Sequence, residues 1–305
     1  MSLAALTFAA LLVAGPVIDI RNDLESAFQS LKEATESKQD PAQVKALAAE
    51  TCALARQVLS APAPESDTET EAWARHVAHA RDIELYTEYA LFAAALQAKP
   101  ATTVDLLAAL EQQNPKSKYL GEAYGPYFLA LNQTGAASKI PAVAEKAIAN
   151  FPNNEDLLLV LADTAMRGKR ADRALGYANR LVTVLNKHPK PEGASSANWE
   201  RKRSAALGRG HWIAGLVYSE KTQYYQADTE LRAALPLIQG NEEMMGPALF
   251  YLGLANYQLG KMMLNKARVL EAAKFSEQSA GLGGPLSQQA WHNALVMKAE
   301  AGNMR

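Results

Sequence analysis

The sequence predicts an all-α protein built as an α-solenoid, a stack of helix–turn–helix units. Three observations point there. Apolar residues recur at helical spacing almost everywhere past residue 20, and proline and glycine clusters stop the helices at regular intervals. Similar phrases also return 37 to 38 residues apart. With 305 residues, 49% of them hydrophobic and 21% charged, the chain has ample material for a core and the balance of a folded protein.

Residues 3–18 carry no charge. As a helix they span roughly 24 Å, short of a hydrocarbon core of roughly 30 Å. A signal-peptide core has this length, yet no Lys or Arg precedes it, and Pro16 follows directly on Val13-Ala14-Gly15. Residues 1–19 therefore read equally as an export or anchoring signal and as an apolar arm that docks on protein. The arm's side chains would be Leu6, Phe8, Leu11, Leu12 and Val13. Either reading points to a periplasmic, cell-surface or secreted location and gives residues 3–18 a way to touch a membrane.

Residues 20–305 read as the solenoid. In 40–60 the residues Val44, Leu47, Ala48, Thr51, Ala55 and Val58 form one stripe. Asp40, Pro41 and Gln43 supply a side-chain cap, a first-position proline and a capping-box partner. Ser66 and Glu69 offer a second box before the helix of Trp73. Pro115 and Pro152, each at a helix stop, lie 37 residues apart, and Gly215 and Gly253 lie 38 apart.

These phrases resemble the tetratricopeptide repeat, a pair of antiparallel helices repeating about every 34 residues. The best unit is 208–241, with Trp212 one place from the aromatic position and Gly215, Tyr218, Ala227, Leu231 and Ala234 in place. A unit at 121–154 keeps Tyr124, Gly135, Ala147 and Pro152. The next begins at Glu155 with Leu158, Leu161, Ala162, Ala174, Ala178 and Leu181. Looser units fall at 84–117 and 246–280, so the resemblance covers 84–280, and a closing helix within 285–304 reads as a cap whose apolar face holds Trp291, Ala294 and Leu295. The resemblance implies a right-handed superhelix in which small residues let helices approach closely.

It also implies a concave groove lined by the first helix of each unit. Carried over by offset, the lining residues are Leu129, Asn132, Leu159, Asp163, Met166, Trp212, Leu216, Ser219, Phe250, Leu254 and Tyr257. They are mostly apolar, unlike the Lys, Arg and Asn set of the family's carboxylate clamp. A groove of that kind calls for an occupant, which would be a partner's helix or the arm of this or a neighbouring copy.

Other chemistry finds little support. The formal charge of −1 argues against a nucleic-acid binder, and the single Cys52 excludes a disulfide framework or a cysteine-held metal cluster. His76, His79 and Asp82 sit on one helix, which presents only part of a metal shell. No nucleophile elbow, phosphate loop or dinucleotide fingerprint occurs. No cofactor, metal or catalytic residue is expected. Charge does follow a gradient: residues 1–100 carry 8 basic and 14 acidic side chains, and residues 201–305 carry 12 and 8. The expectation is thus a non-catalytic protein that works by protein–protein contact. It would be a homo-oligomer or polymer joined head to tail into a filament or tube, or else a scaffold that holds a foreign protein or peptide; a third reading, a helical-repeat metal-binding protein or enzyme, would need His76 and His79 to meet further ligands in space.

Overall fold

The computed structural model describes residues 17–64, 67–187, 189–190 and 195–304. The predicted arm side chains Leu6, Phe8, Leu11, Leu12 and Val13, and the capping box at Ser66, lie outside the described residues. All regular structure among the described residues is helical, in thirteen α-helices and two single-turn 3₁₀-helices. The chain divides into two compact units at Ala137 and Ser138.

The first unit holds α1 (Val17–Glu36), α2 (Pro41–Ser60), α3 (Asp67–Gln97), α4 (Pro100–Gln113) and α5 (Lys118–Gln133). Each helix packs on the next, and α1, α3 and α5 also touch in sequence. Asp40 caps α2 by accepting from the Ala42 N–H at 3.2 Å, with Pro41 in the first turn, where a missing N–H costs nothing. The predicted stripe then faces inward, with Val44, Ala48, Thr51, Ala55 and Val58 buried. In the predicted 84–117 unit, Thr103, Leu107 and Leu110 are buried along α4.

The second unit holds α6 (Ile140–Ala147), α7 (Glu155–Arg167), α8 (Ala171–Lys187), α9 (Ser196–Glu220), α10 (Tyr224–Ala234), α11 (Glu242–Met262), α12 (Lys266–Gly281) and α13 (Ser287–Asn303). Consecutive helices pack together, and α7, α9, α11 and α13 form a second series of contacts. Asn154, Asn241 and Asn265 cap α7, α11 and α12, each accepting from the N–H three residues on.

One turn recurs. After α1, α5, α7, α9 and α11 the chain places a single residue in the left-handed region: Lys38, Gly135, Lys169, Thr222 and Leu264. The residue after each donates its N–H five residues back, as Arg170 does to the Ala165 carbonyl and Gln223 to the Tyr218 carbonyl, at 2.9 and 2.8 Å. This closes each helix in a Schellman motif. Residues five, nine and twelve places after the turn residue are then buried in four alternate helices of the second unit. They are Ile140, Ala144 and Ala147 on α6; Ala174, Ala178 and Leu181 on α8; Ala227, Leu231 and Ala234 on α10; and Val269, Ala273 and Ser276 on α12. Most are small, so neighbouring helices pack closely: a Cβ built on Gly215 would lie 2.5 Å from the Leu231 side chain.

The same turns correct one register. Leu264 puts Val269, Ala273 and Ser276 where Ala227, Leu231 and Ala234 stand in the previous pair, four residues later than the predicted 246–280 unit requires. That unit's second helix drifted because its offset was anchored on Gly253 instead of the turn.

A non-glycine residue in the left-handed region costs roughly 1–2 kcal/mol. Thr222→Gly is therefore expected to stabilise the protein by about 0.5–1 kcal/mol, after allowing for the added freedom of the unfolded chain. Gly135→Ala is expected to cost about 1 kcal/mol. Equilibrium urea unfolding followed by helical circular dichroism checks both.

Candidate interaction surfaces

In the second unit, α7, α9 and α11 bring three of the predicted lining residues together. The Asp163 carboxylate accepts from Arg209 Nε at 2.6 Å, and the Arg209 guanidinium lies 4.5 Å from the centroid of the Trp212 ring. Trp212 Nε1 donates to the Met244 carbonyl at 2.8 Å. Met166 and Trp212 both pack against the two apolar clusters on either side, one around Ala178 and Ile213, the other around Leu231 and Leu252. Three alternate helices are thus tied by one chain of polar and ring contacts.

The other predicted positions separate. Leu216 and Phe250 are buried and offer almost no surface. Ser219 is also buried, its hydroxyl without a partner. Leu159 packs beside the cluster of Leu158, Leu181 and Trp199, and Leu254 and Tyr257 lie against the α12–α13 cluster of Val269 and Met297. The Tyr257 hydroxyl is pushed up by burial and then by its hydrogen bond to Glu300, whose carboxyl that bond holds below its usual range. Register explains Phe250. Trp212 precedes its turn residue by ten places, and so does Leu254, whereas Phe250 falls four places early. In the first unit, Leu129 and Asn132 stand exposed on α5.

A larger apolar surface in the first unit was not singled out in the sequence. Five rings run in succession across α1, α3 and α5. Phe28 meets Tyr86 edge-on at 5.2 Å, Tyr86 meets Tyr89 at 5.7 Å, Tyr89 meets Tyr119 at 5.8 Å, and Tyr119 stacks on Phe92 at 5.5 Å. Tyr89 is 42% exposed, and Leu85 and Leu96 beside it are 40% and 51% exposed. Phe28 precedes its turn residue Lys38 by ten places, as Trp212 precedes Thr222. That offset was the signal available in sequence, but the match to known repeats was traced only from residue 84 onward.

The predicted cap helix is also turned differently. Ala290, Ala294, Met297 and Ala301 face α12, while Trp291 and Leu295, expected on the apolar inner face, are 53% and 51% exposed, with Val296 exposed beside them. Small side chains win the inner face because α12 approaches closely there. The bulky ones are left outside.

Polar ties between α10, α11 and α12 were likewise missed. Asn256 is fully buried and donates to Asp228 at 2.6 Å and to the Leu252 carbonyl, while its own oxygen accepts from Arg268 at 2.9 Å. Arg232 and Arg268 share Asp228, and Arg232 also reaches Glu271 at 2.9 Å. Next to it, Arg232, Leu235, Pro236, Gln239, Met245, Leu249, Phe275 and Gln278 line an open cleft of about 480 Å³.

Metal chemistry gains nothing. His79 pairs with Glu25 at 3.1 Å and meets Phe28 edge-on, and among the described residues no group of three His, Cys, Asp or Glu side chains converges on an ion site. Hydrogen bonds from Gln29 and then His79 hold the Glu25 carboxyl below its ordinary value, while burial pushes His76 down. Cys52 is buried, and burial pushes its thiol up, away from the reactive thiolate. No described helix is long and apolar enough to cross a membrane. Lys202, within the basic run at 201–203, is occupied by Asp156 at 2.8 Å and Glu155 at 3.3 Å.

No protein-family model matches the chain, and comparison with curated proteins returns no match.

Trp212 bridges two core clusters, so Trp212→Ala is expected to cost about 3–5 kcal/mol. Trp212→Phe, which loses the bond to Met244 and weakens the contact with Arg209, is expected to cost about 1–2 kcal/mol. Urea midpoints measure both, and an unchanged midpoint in Trp212→Ala would show that the ring is only a surface group.

Proposed function

We propose that the protein is a non-catalytic helical-repeat module of tetratricopeptide type that works by protein–protein contact, assembling head to tail with copies of itself. The opposite charge of the two compact units carries this reading. Residues 1–137 hold 10 basic and 17 acidic side chains, and residues 138–305 hold 21 and 15, so the units bear −7 and +6 within a near-neutral chain. Such a division draws the acidic unit of one molecule toward the basic unit of another. The recurrent turn and its buried small residues support the repeat reading. The apolar stretch at 3–18 supports a place outside the cytoplasm and a second contact between copies through the arm.

A binding module for a foreign polypeptide is the second reading, favoured by the cleft beside Phe275, which suits an apolar side chain of a peptide.

Sedimentation velocity over a range of concentration and ionic strength tests the proposal. Mass is expected to grow with concentration in about 0.01 M salt and to fall as salt approaches 1 M, because the screening length shrinks from roughly 30 Å to 3 Å. Removal of residues 1–18 is expected to weaken assembly further. A monomer mass under every condition would leave the foreign-partner reading.

A further inference from the structure

Two exposed apolar surfaces lie in units of opposite charge. On the acidic unit, Leu85 and Tyr89 stand one helical turn apart on α3 and rise from the five-ring stripe. On the basic unit, Trp291 and Leu295 stand one turn apart on α13, with Val296 beside them. Neither patch is explained by folding. Each helix already buries another face, α13 through Ala290, Ala294, Met297 and Ala301, and α3 through Ala80, Ile83, Ala90 and Leu91. Contiguous exposed aromatic and aliphatic side chains in water mark contact surfaces. Tyrosine and tryptophan are also the residue types that dominate the energy of protein interfaces.

We infer that the Trp291–Leu295 ridge of one molecule seats on the Leu85–Tyr89 stripe of a second copy. This rests on the self-assembly proposed above and names its surfaces. Charge selects the pairing, since a ridge on a +6 unit meets a stripe on a −7 unit, whereas ridge on ridge or stripe on stripe brings like charges together. Exposure favours it as well. Tyr89 is 42% exposed, so part of its ring is free to meet an incoming indole. The two surfaces are different patches, so the contact is heterologous: each open assembly keeps one free stripe and one free ridge, and growth continues unless its two ends meet in a ring.

The test uses two double variants of the full chain, Trp291→Ala/Leu295→Ala and Leu85→Ala/Tyr89→Ala. All four side chains are exposed, so helical circular dichroism is expected to match the wild type. Each variant alone is expected to be monomeric, with association weakened at least about tenfold. An equimolar mixture is expected to give dimers and nothing larger, because one intact stripe meets one intact ridge and each dimer is then capped. If the wild type assembles and either variant assembles equally well, or the mixture stays monomeric, the inference is overturned while self-assembly stands. If the wild type is itself monomeric, both fall. A variant that loses helical signal is replaced by Trp291→Gln or Tyr89→Gln alone, read the same way.

Discussion

The recurring left-handed turn is the constraint on which the rest of the structure depends. At Lys38, Gly135, Lys169, Thr222 and Leu264 the backbone takes positive φ, and the N–H that follows each closes the helix behind it. In the second unit the next helix starts in one register after it, so the residues five, nine and twelve places on meet the core in four helices, whereas after Lys38 the buried positions fall one place later, at Val44, Ala48 and Thr51. Only one of the five turn residues is glycine. The strain at the others is offset by the hydrogen bonds of the turn itself, as at Thr222, where the N–H groups of Thr222 and Gln223 reach the Ser219 and Tyr218 carbonyls.

Close approach has a second effect. With Ala, Gly and Ser at many contacts, the helix pairs bury modest apolar area per residue, and part of their cohesion comes from polar ties. Asn256 with Asp228, Arg232 and Arg268 joins α10, α11 and α12, and Asp163, Arg209, Trp212 and Met244 join α7, α9 and α11. Partly dehydrated and multiply bonded, these groups fix which side chains face which. Apolar packing of small residues specifies that only loosely. The bulky apolar residues that small-residue packing excludes, Trp291, Leu295 and Tyr89, are displaced to the outside.

Much of the helical plan was legible in the sequence. The Asp40–Pro41 start follows from the cap, and Ala174, Ala178, Leu181, Ala227, Leu231 and Ala234, found buried, are the second-helix positions that the resemblance to the tetratricopeptide repeat marks. The surfaces were less legible, for a physical reason. Whether a residue such as Phe250 lines a groove or fills a core depends on its distance from the turn, and no glycine marks the α11–α12 turn, where Leu264 does that work. A slip of four residues keeps a side chain near the same helix face but shifts it about 6 Å along the axis, so Phe250 meets different neighbours from those of Leu254. The aromatic stripe escaped notice because its members lie on three helices, and only folding places Phe28, Tyr86 and Tyr119 in one row.

The single thiol of the chain gives the first unit a built-in clock. Cys52 lies beneath the α2–α3 contact beside Thr51 and Ala55, with its proton held more firmly than in water. A water-soluble alkylating reagent reaches it only in moments when α2 lifts away. Its labelling rate therefore counts those openings directly, with no engineered probe, and separates the breathing of the acidic unit from that of the basic one.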